Sequence, residues 1–141
     1  MIRMSGCTRR TFTLVLGGVT VELVACGTAA TTLPANGNLV TLTYAQFPAL
    51  AAPGGSAVVD VQDRFPIAVV RTGDASAVAL SATCTHQACI LQYQASATQL
   101  HCNCHNADFD LTGAVLRGPT VIPLPVYAAS PGPDGIVVDL S

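Results

Sequence analysis

Two short boxes of cysteine and histidine place the strongest constraint on how this chain can fold. The first box is Cys84-Thr85-His86-Gln87-Ala88-Cys89, and the second is Cys102-Asn103-Cys104-His105. Each box offers a thiolate and an imidazole close together in the chain, and fifteen residues separate His86 from Cys102. Two thiolates on one iron and two imidazoles on the other are the ligands of one type of two-iron, two-sulfur centre. The boxes therefore predict two loops that meet around one metal cluster.

Two simpler interpretations compete with the cluster. A plain disulfide framework would use the four cysteines of the boxes but would leave the histidines without a role. A structural zinc site would take four ligands from the boxes, but its usual ligand spacings are different, and two cysteines would stay unexplained. Either alternative would make the chain a zinc- or disulfide-stabilised β-sandwich binding module without redox activity. Visible absorption that bleaches on reduction distinguishes the cluster from both.

The boxes resemble those of Rieske iron–sulfur proteins, whose pattern is Cys-Thr-His-x-x-Cys followed by Cys-x-Cys-His. The resemblance continues at Gly113, in the segment 117–127, which is similar to the family's proline loop and the strand after it, and in the segment 134–139, which is similar to its closing strand. It covers roughly residues 39–141 and points to the Rieske domains of ubiquinol–cytochrome c reductase and of the arsenite oxidase small subunit.

The resemblance implies a role for each residue of the boxes. Cys84 and Cys102 would bind one iron as thiolates, and His86 and His105 would bind the other as neutral imidazoles. His101, the one histidine outside the two boxes, matches no ligand position, and we expect it to be an ordinary strand residue. The same resemblance implies that the two remaining cysteines of the boxes form a disulfide between the loops, Cys89 with Cys104.

These assignments imply one-electron transfer through one [2Fe–2S] cluster, without catalytic residues in this chain. Imidazole donates less negative charge than thiolate, so the cluster accepts an electron readily, and the free nitrogen of each ring can carry a proton. We therefore expect a membrane-associated carrier or a subunit of a larger oxidoreductase. Its electron donor would be a quinol or an oxidoreductase subunit, and its acceptor would be of the cytochrome type.

Three positions after the second box and one within the first depart from the pattern of high-potential members of the family. Those members usually carry Gly-Ser after the second box and a Tyr two residues later, whereas this chain has Asn106, Ala107 and Phe109. Two hydroxyl groups that would stabilise the reduced cluster are therefore missing. Gln87 also replaces the usual apolar residue of the first box. Since hydrogen bonds and solvent exposure tune these centres, we expect a reduction potential in the lower half of the range of about −150 to +300 mV.

The N-terminal sequence predicts export. Thr8-Arg9-Arg10-Thr11-Phe12 resembles the twin-arginine motif of proteins that are exported already folded, and an apolar segment follows it. Leu23-Val24-Ala25-Cys26-Gly27 resembles a lipoprotein cleavage box, with Cys26 as the site of lipid attachment. We therefore expect a signal in residues 1–26, and a protein anchored by lipid on the periplasmic side of a bacterial membrane. Cleavage by the ordinary signal peptidase and an uncleaved anchor helix are the alternatives.

Composition excludes other classes of partner. Only 10% of the residues are charged, lysine is absent and the formal net charge is −2, so nothing indicates a nucleic-acid partner. The apolar residues fall in short stretches separated by glycine and proline rather than in one long run.

The rest of the chain predicts an all-β fold. Residues 27–38 are small and polar and predict a flexible tether, and residues 39–141 predict a Rieske-like antiparallel β-sandwich or barrel with a cluster-binding loop subdomain at its tip. Ala45–Leu50 predicts one helical turn, and the prolines of segment 117–127 predict a loop over the cluster. The predicted strands are Leu39–Tyr44, Ala57–Val61, Ile67–Arg71, Val78–Ser81, Ile90–Gln94, Thr98–Cys102, Val126–Ala128 and Ile136–Leu140.

Overall fold

The computed structural model of the chain describes residues 31–141 and two short strands before them, β1 (Val15–Leu16) and β2 (Val19–Thr20). These two strands pair antiparallel with each other. The twin-arginine motif, the cleavage box and Cys26 lie outside the described residues. Within the described residues, no helix is both long enough and apolar enough to cross a membrane.

Short strands make up the folded part of the chain, with one 3₁₀ helix (Pro48–Ala51). The prediction of an all-β fold is confirmed. The strands are β3 (Thr32–Leu33), β4 (Leu39–Thr43), β5 (Ser56–Val61), β6 (Ile67–Gly73), β7 (Ser76–Ser81), β8 (Gln92–Gln94), β9 (Gln99–Cys102), β10 (Ala107–Asp110), β11 (Val115–Arg117), β12 (Val126–Pro131) and β13 (Gly135–Asp139).

A seven-stranded sheet forms the base of the domain. Its strand order is β3-β5-β6-β7-β12-β13-β4, and all neighbours are antiparallel except β3 and β5. The sheet curls into a nearly closed barrel. Alternate residues of a strand point to opposite faces, so one face of each strand fills the barrel interior with buried aliphatic side chains, among them Val40, Leu42, Val59, Ile136 and Val138.

A second, four-stranded sheet carries the cysteine and histidine boxes. Its order is β8-β9-β10-β11, and a separate core of buried side chains lies beneath it, including Leu91, Leu100 and Phe109. Strands β6 and β7 contribute to both cores: Val69 faces the barrel interior, whereas Ala68 packs with the second core. These two strands are therefore a shared wall that attaches the box-carrying sheet to the barrel.

Two strands of the box-carrying sheet were not predicted from the sequence. Strand β10 contains two aspartates, a residue type depleted in strands, and β11 has only three residues. Antiparallel pairing with β9 stabilises β10, which in turn pairs with β11. The eight predicted strands are all present with shifted ends, and the predicted helical turn is the 3₁₀ helix.

The folded domain begins earlier in the chain than the sequence predicts. Residues 27–38 were expected to be a tether, but Thr32 and Leu33 form β3 and pair in parallel with Asp60 and Val61 of β5. Leu33 is 3% exposed and belongs to the barrel core. The tether prediction is therefore wrong for this part of the segment, because Leu33 docks in the barrel core and its strand pairs with β5.

Replacement of the Leu33 side chain tests this docking. We expect Leu33→Ala to lower the free energy of unfolding by about 2–5 kcal/mol, because it removes a buried leucine from a packed core. Leu39→Ala is the matched control: Leu39 is 46% exposed, and we expect a loss below about 1 kcal/mol. Urea denaturation followed by circular dichroism measures both variants. Equal, small losses would mean that residues 31–38 are a tether after all.

Candidate metal centre

The first box is a closed loop after strand β7. Thr83 and Ile90 pair across its base, and the backbone N–H of Cys84 donates to the carbonyl of Cys89 at 2.8 Å. Ala88 adopts a left-handed conformation with φ of 51°, which turns the chain back toward the base of the loop. The loop therefore presents its side chains at one end of the box-carrying sheet.

The second box is the turn between β9 and β10. Cys102 and Ala107 are the last paired residues of these strands, and the N–H of Asn106 donates to the carbonyl of Cys102 at 2.9 Å. Asn106 has φ of 53°, a left-handed conformation that asparagine tolerates better than most residues. Local turn chemistry thus places Cys104 and His105 at the tip of a hairpin.

Two free, buried thiols meet between the loops, those of Cys84 and Cys102. Burial raises the pKa of the Cys84 thiol, and the neighbouring Cys102 thiol raises it further. The backbone N–H groups of His86 and Gln87 oppose this rise. Two thiolates side by side in a buried site repel each other unless a cation compensates their charge. The pair is therefore suited to a metal.

Two imidazoles lie at the same place. The rings of His86 and His105 are 4.5 Å apart between centroids, in an edge-to-face arrangement at 77°. The Nδ1 atom of His105 is buried and has no hydrogen-bond partner among the described residues. A buried ring nitrogen without a partner is costly, and a metal ion is the partner that would satisfy it. The donor atoms thus fit the cluster that the sequence predicts.

A disulfide joins the two loops. Cys89 and Cys104 are bonded, with their Cα atoms 6.5 Å apart. Their sulfur atoms, the sulfur of Cys102 and a ring nitrogen of His105 all lie within 4.8 Å of one another. Sulfur atoms bonded to each other are not thiolates, so this pair links the loops rather than binding metal. A cross-link over 15 residues contributes about 3 kcal/mol by restricting the unfolded chain.

All four predicted ligands thus meet where the loops approach each other, in two pairs of side-chain contacts: Cys84 with Cys102, and His86 with His105. Cys84 and Cys102 are buried, and His86 is exposed. The assignment of these four side chains as iron ligands stays a prediction.

The loop of residues 118–125, which we call the proline loop, lies against the first box. The hydroxyl of Thr85 donates to the carbonyl of Ile122 at 2.7 Å and lies 3.1 Å from the hydroxyl of Thr120. The N–H of Ile122 donates to the same Thr120 hydroxyl. The loop therefore lies beside the first box, and its predicted place over the cluster stays a prediction.

Sequence reasoning missed a polar group next to the second box. His101, expected to be an ordinary strand residue, contacts the buried carboxylate of Asp108 on β10, and Arg117 on β11 contacts the other oxygen of that carboxylate. The signal available in the sequence was weak, since only the strand register shows that these three residues are neighbours.

Comparison with known proteins agrees with this geometry. Residues 43–128 match the family model of the Rieske [2Fe–2S] domain. The iron–sulfur subunit of the cytochrome b6-f complex of Chlorobaculum thiosulfatiphilum is 34% identical over 86 residues, which are 61% of this chain and 47% of that subunit. The corresponding subunit of Chlorobaculum tepidum is 31% identical over 94 residues, which are 67% of this chain and 51% of that subunit. The chain thus spans about half the length of these relatives.

Two solved structures are similar to the fold. The plasma membrane Rieske protein PetC3 of Synechocystis PCC 6803 superimposes with a TM-score of 0.51 and 26% identity, covering 72% of this chain and 86% of that protein. The ferredoxin of carbazole 1,9a-dioxygenase from Nocardioides aromaticivorans IC177 superimposes with a TM-score of 0.56 and 28% identity, covering 72% of this chain and 95% of the ferredoxin.

The contact between Thr85 and the proline loop can be tested directly. We expect Thr85→Val, which preserves the shape of the side chain but removes its hydroxyl, to lower the free energy of unfolding by about 1–2 kcal/mol. Backbone amides of the proline loop should also exchange with solvent faster. Thr72→Val is the control, since the Thr72 hydroxyl bonds only to Ser76 at the exposed end of the β6–β7 hairpin. An unchanged exchange rate in Thr85→Val would show that this hydroxyl does not hold the loop.

Proposed function

The chain belongs to the Rieske [2Fe–2S] family, and from that membership we propose that it is a one-electron carrier whose single cluster is held by Cys84, His86, Cys102 and His105. The observation that carries the proposal is the meeting of two buried free thiols with two imidazoles, one of which has an unpaired buried nitrogen. The cluster supplies one-electron chemistry when bound. Family membership favours this function over a zinc- or disulfide-stabilised binding module.

The two pairs of predicted ligands would contribute differently to this site. Cys84 and Cys102 would bring two negative charges from the buried side, where the backbone N–H groups of His86 and Gln87 already face the Cys84 sulfur. His86 and His105 would bind as neutral rings, and the exposed His86 offers the shortest route for an electron to a partner at the surface. Two neutral ligands in place of two thiolates raise the potential of such a centre.

The surface around the loops supports a partner recognised by apolar contact. Ile90, directly after the first box, is 51% exposed, and Val121 and Ile122 of the proline loop are 89% and 59% exposed. Between residues 82 and 126 the only Asp, Glu, Lys or Arg residues are Asp108, Asp110 and Arg117. Because long-range attraction between proteins requires charge, such a surface favours docking onto an apolar face rather than steering by charge.

We propose a quinol as electron donor and a cytochrome-type protein as acceptor, within a larger membrane-bound oxidoreductase. Support comes from the relatives, which are named as iron–sulfur subunits of cytochrome b6-f complexes, and from the apolar surface around the loops. We also propose export by the twin-arginine route and lipid attachment at Cys26, on the periplasmic side of the membrane. The sequence motif supports export, as does the disulfide, since such bonds persist in oxidising compartments.

Removal of one predicted ligand tests the proposed function. We expect protein produced with full iron–sulfur assembly to contain iron and acid-labile sulfide, and His105→Ala to lose the visible absorption and the electron paramagnetic resonance signal of the reduced cluster. Circular dichroism should still show a folded β domain. Asn103→Ala is the control, because Asn103 is an exposed residue of the same loop that is not a predicted ligand. Stoichiometric zinc in place of iron, or a normal resonance signal in His105→Ala, would contradict the proposal.

The two missing hydroxyl groups provide a test of the predicted low potential. Ala107 lies opposite Cys102 in the strand pair and is fully buried, so Ala107→Ser would place a hydroxyl beside the predicted ligand. A hydrogen bond to a charged group is worth about 1.5–3 kcal/mol, and 59 mV corresponds to about 1.4 kcal/mol for one electron. Because both redox states gain part of this energy, we expect Ala107→Ser and Phe109→Tyr each to raise the potential by up to about 60 mV.

Redox titration measures these shifts. Phe65→Tyr is the control for Phe109→Tyr, since Phe65 is 71% exposed and belongs to neither of the two cores. The reduction potential of the Phe65→Tyr variant should equal that of the unaltered protein. A lower potential in Ala107→Ser, or a starting potential near the upper end of the family range, would defeat the explanation.

A further inference from the structure

Asp108 is a buried acidic residue that the proposed cluster site does not use. Its side chain is 9% exposed, and its two oxygens contact different partners: Nδ1 of His101 lies 2.6 Å from Oδ1, and Nε of Arg117 lies 3.0 Å from Oδ2. Burial of a carboxylate is costly unless the charge is paired and hydrogen-bonded. Here Arg117 pairs with the charge, and His101 supplies the hydrogen bond.

The three residues form a row across three neighbouring strands. In the strand register, Asp108 of β10 faces His101 of β9 on one side and Arg117 of β11 on the other. Side chains alternate between the faces of a sheet, so this row lies on the face opposite to Cys102 and Ala107, which point into the core. The row is therefore behind the second box and outside the proposed ligand set.

Each partner of Asp108 is attached to one of the loops around the proposed cluster. His101 directly precedes Cys102, where the second box begins, and Arg117 directly precedes Gly118, where the proline loop begins. Gly118 has φ of +129°, and a Cβ atom there would lie 2.7 Å from the Cβ of Ala107. The start of the proline loop thus packs directly against the hairpin of the second box, next to the position where Asp108 contacts both neighbouring strands.

We propose that Asp108 is a positioning residue that holds the proline loop against the second box and so keeps the proposed cluster enclosed. This inference rests on the proposed function. A carboxylate suits the task because one of its oxygens hydrogen-bonds with His101 and the other forms an ion pair with Arg117. An asparagine has one acceptor oxygen and no negative charge, so it loses the ion pair with Arg117 whichever neighbour its oxygen faces.

The strand offers a matched control in Asp110. This second aspartate of β10 accepts hydrogen bonds from the N–H and hydroxyl of Thr112 and from the N–H of Ala114, all through the single oxygen Oδ1. Asp110→Asn keeps that acceptor while removing the same charge as Asp108→Asn. A comparison of the two variants therefore separates the loss of the bridge from the loss of a negative charge on this strand.

Two measurements on the full chain test the proposal, using Asp108→Asn, Arg117→Gln, the double variant and Asp110→Asn. The first is hydrogen exchange of the proline loop in cluster-free protein, and the second is the rate at which an iron chelator removes the cluster from loaded protein. We expect both rates to rise severalfold in Asp108→Asn and in Arg117→Gln, and to stay unchanged in Asp110→Asn. The double variant should be no faster than the faster single variant, because both replacements break the same contact.

Reduction potentials distinguish positioning from a plain effect of charge. An effect of charge alone would shift the potentials of Asp108→Asn and Arg117→Gln in opposite directions, would cancel in the double variant and would leave both rates unchanged; this result would overturn the proposal. Rates in Asp110→Asn that match those in Asp108→Asn would also overturn it. Arg117 is 65% exposed, so Arg117→Gln keeps the test decisive if Asp108→Asn does not fold.

Failure of the proposed function would be recognised separately. Unaltered protein without iron and acid-labile sulfide would refute the cluster itself. Hydrogen exchange in the cluster-free chain would still decide whether Asp108 holds the proline loop, because that measurement involves no metal.

Discussion

The burial of two thiols side by side is the constraint on which the rest of the site depends. Cys84 and Cys102 come from different loops, and each would have to lose a proton to bind iron as proposed. In a buried place the resulting charges would repel each other, and a bound cation would offset that repulsion. The disulfide between Cys89 and Cys104 holds the two loops close enough to share one such centre.

Three contacts of different chemical kinds hold the loops together. The disulfide joins the boxes covalently, the Thr85 hydroxyl bonds the first box to the proline loop, and Asp108 spans from the second box to the start of the same loop. Together these contacts connect both boxes and the proline loop around the proposed ligands. The shared wall of β6 and β7 attaches the box-carrying sheet, and with it the loops, to the barrel.

The strands and the boxes could be predicted from the sequence where residue type or periodicity carries the signal. The predicted strands Ile90–Gln94 and Thr98–Cys102 are an example, because they flank the small turn residues Ala95-Ser96-Ala97. Strand β10 could not be predicted in this way, because its aspartates oppose strand formation until the neighbouring strands pair with it. Leu33 was missed for a related reason: its burial depends on Val61, almost thirty residues later in the chain.

The sequence by itself determined the proposed donor set, because the affinity of iron for thiolate and imidazole depends on residue type and on the spacing within each box. It also determined the β class of the fold, through short apolar runs separated by glycine and proline. Only the tertiary structure decided that Leu33 belongs to the core and that His101, Asp108 and Arg117 form one row. Strand register and burial arise from partners that are distant in the chain, and no local pattern encodes them.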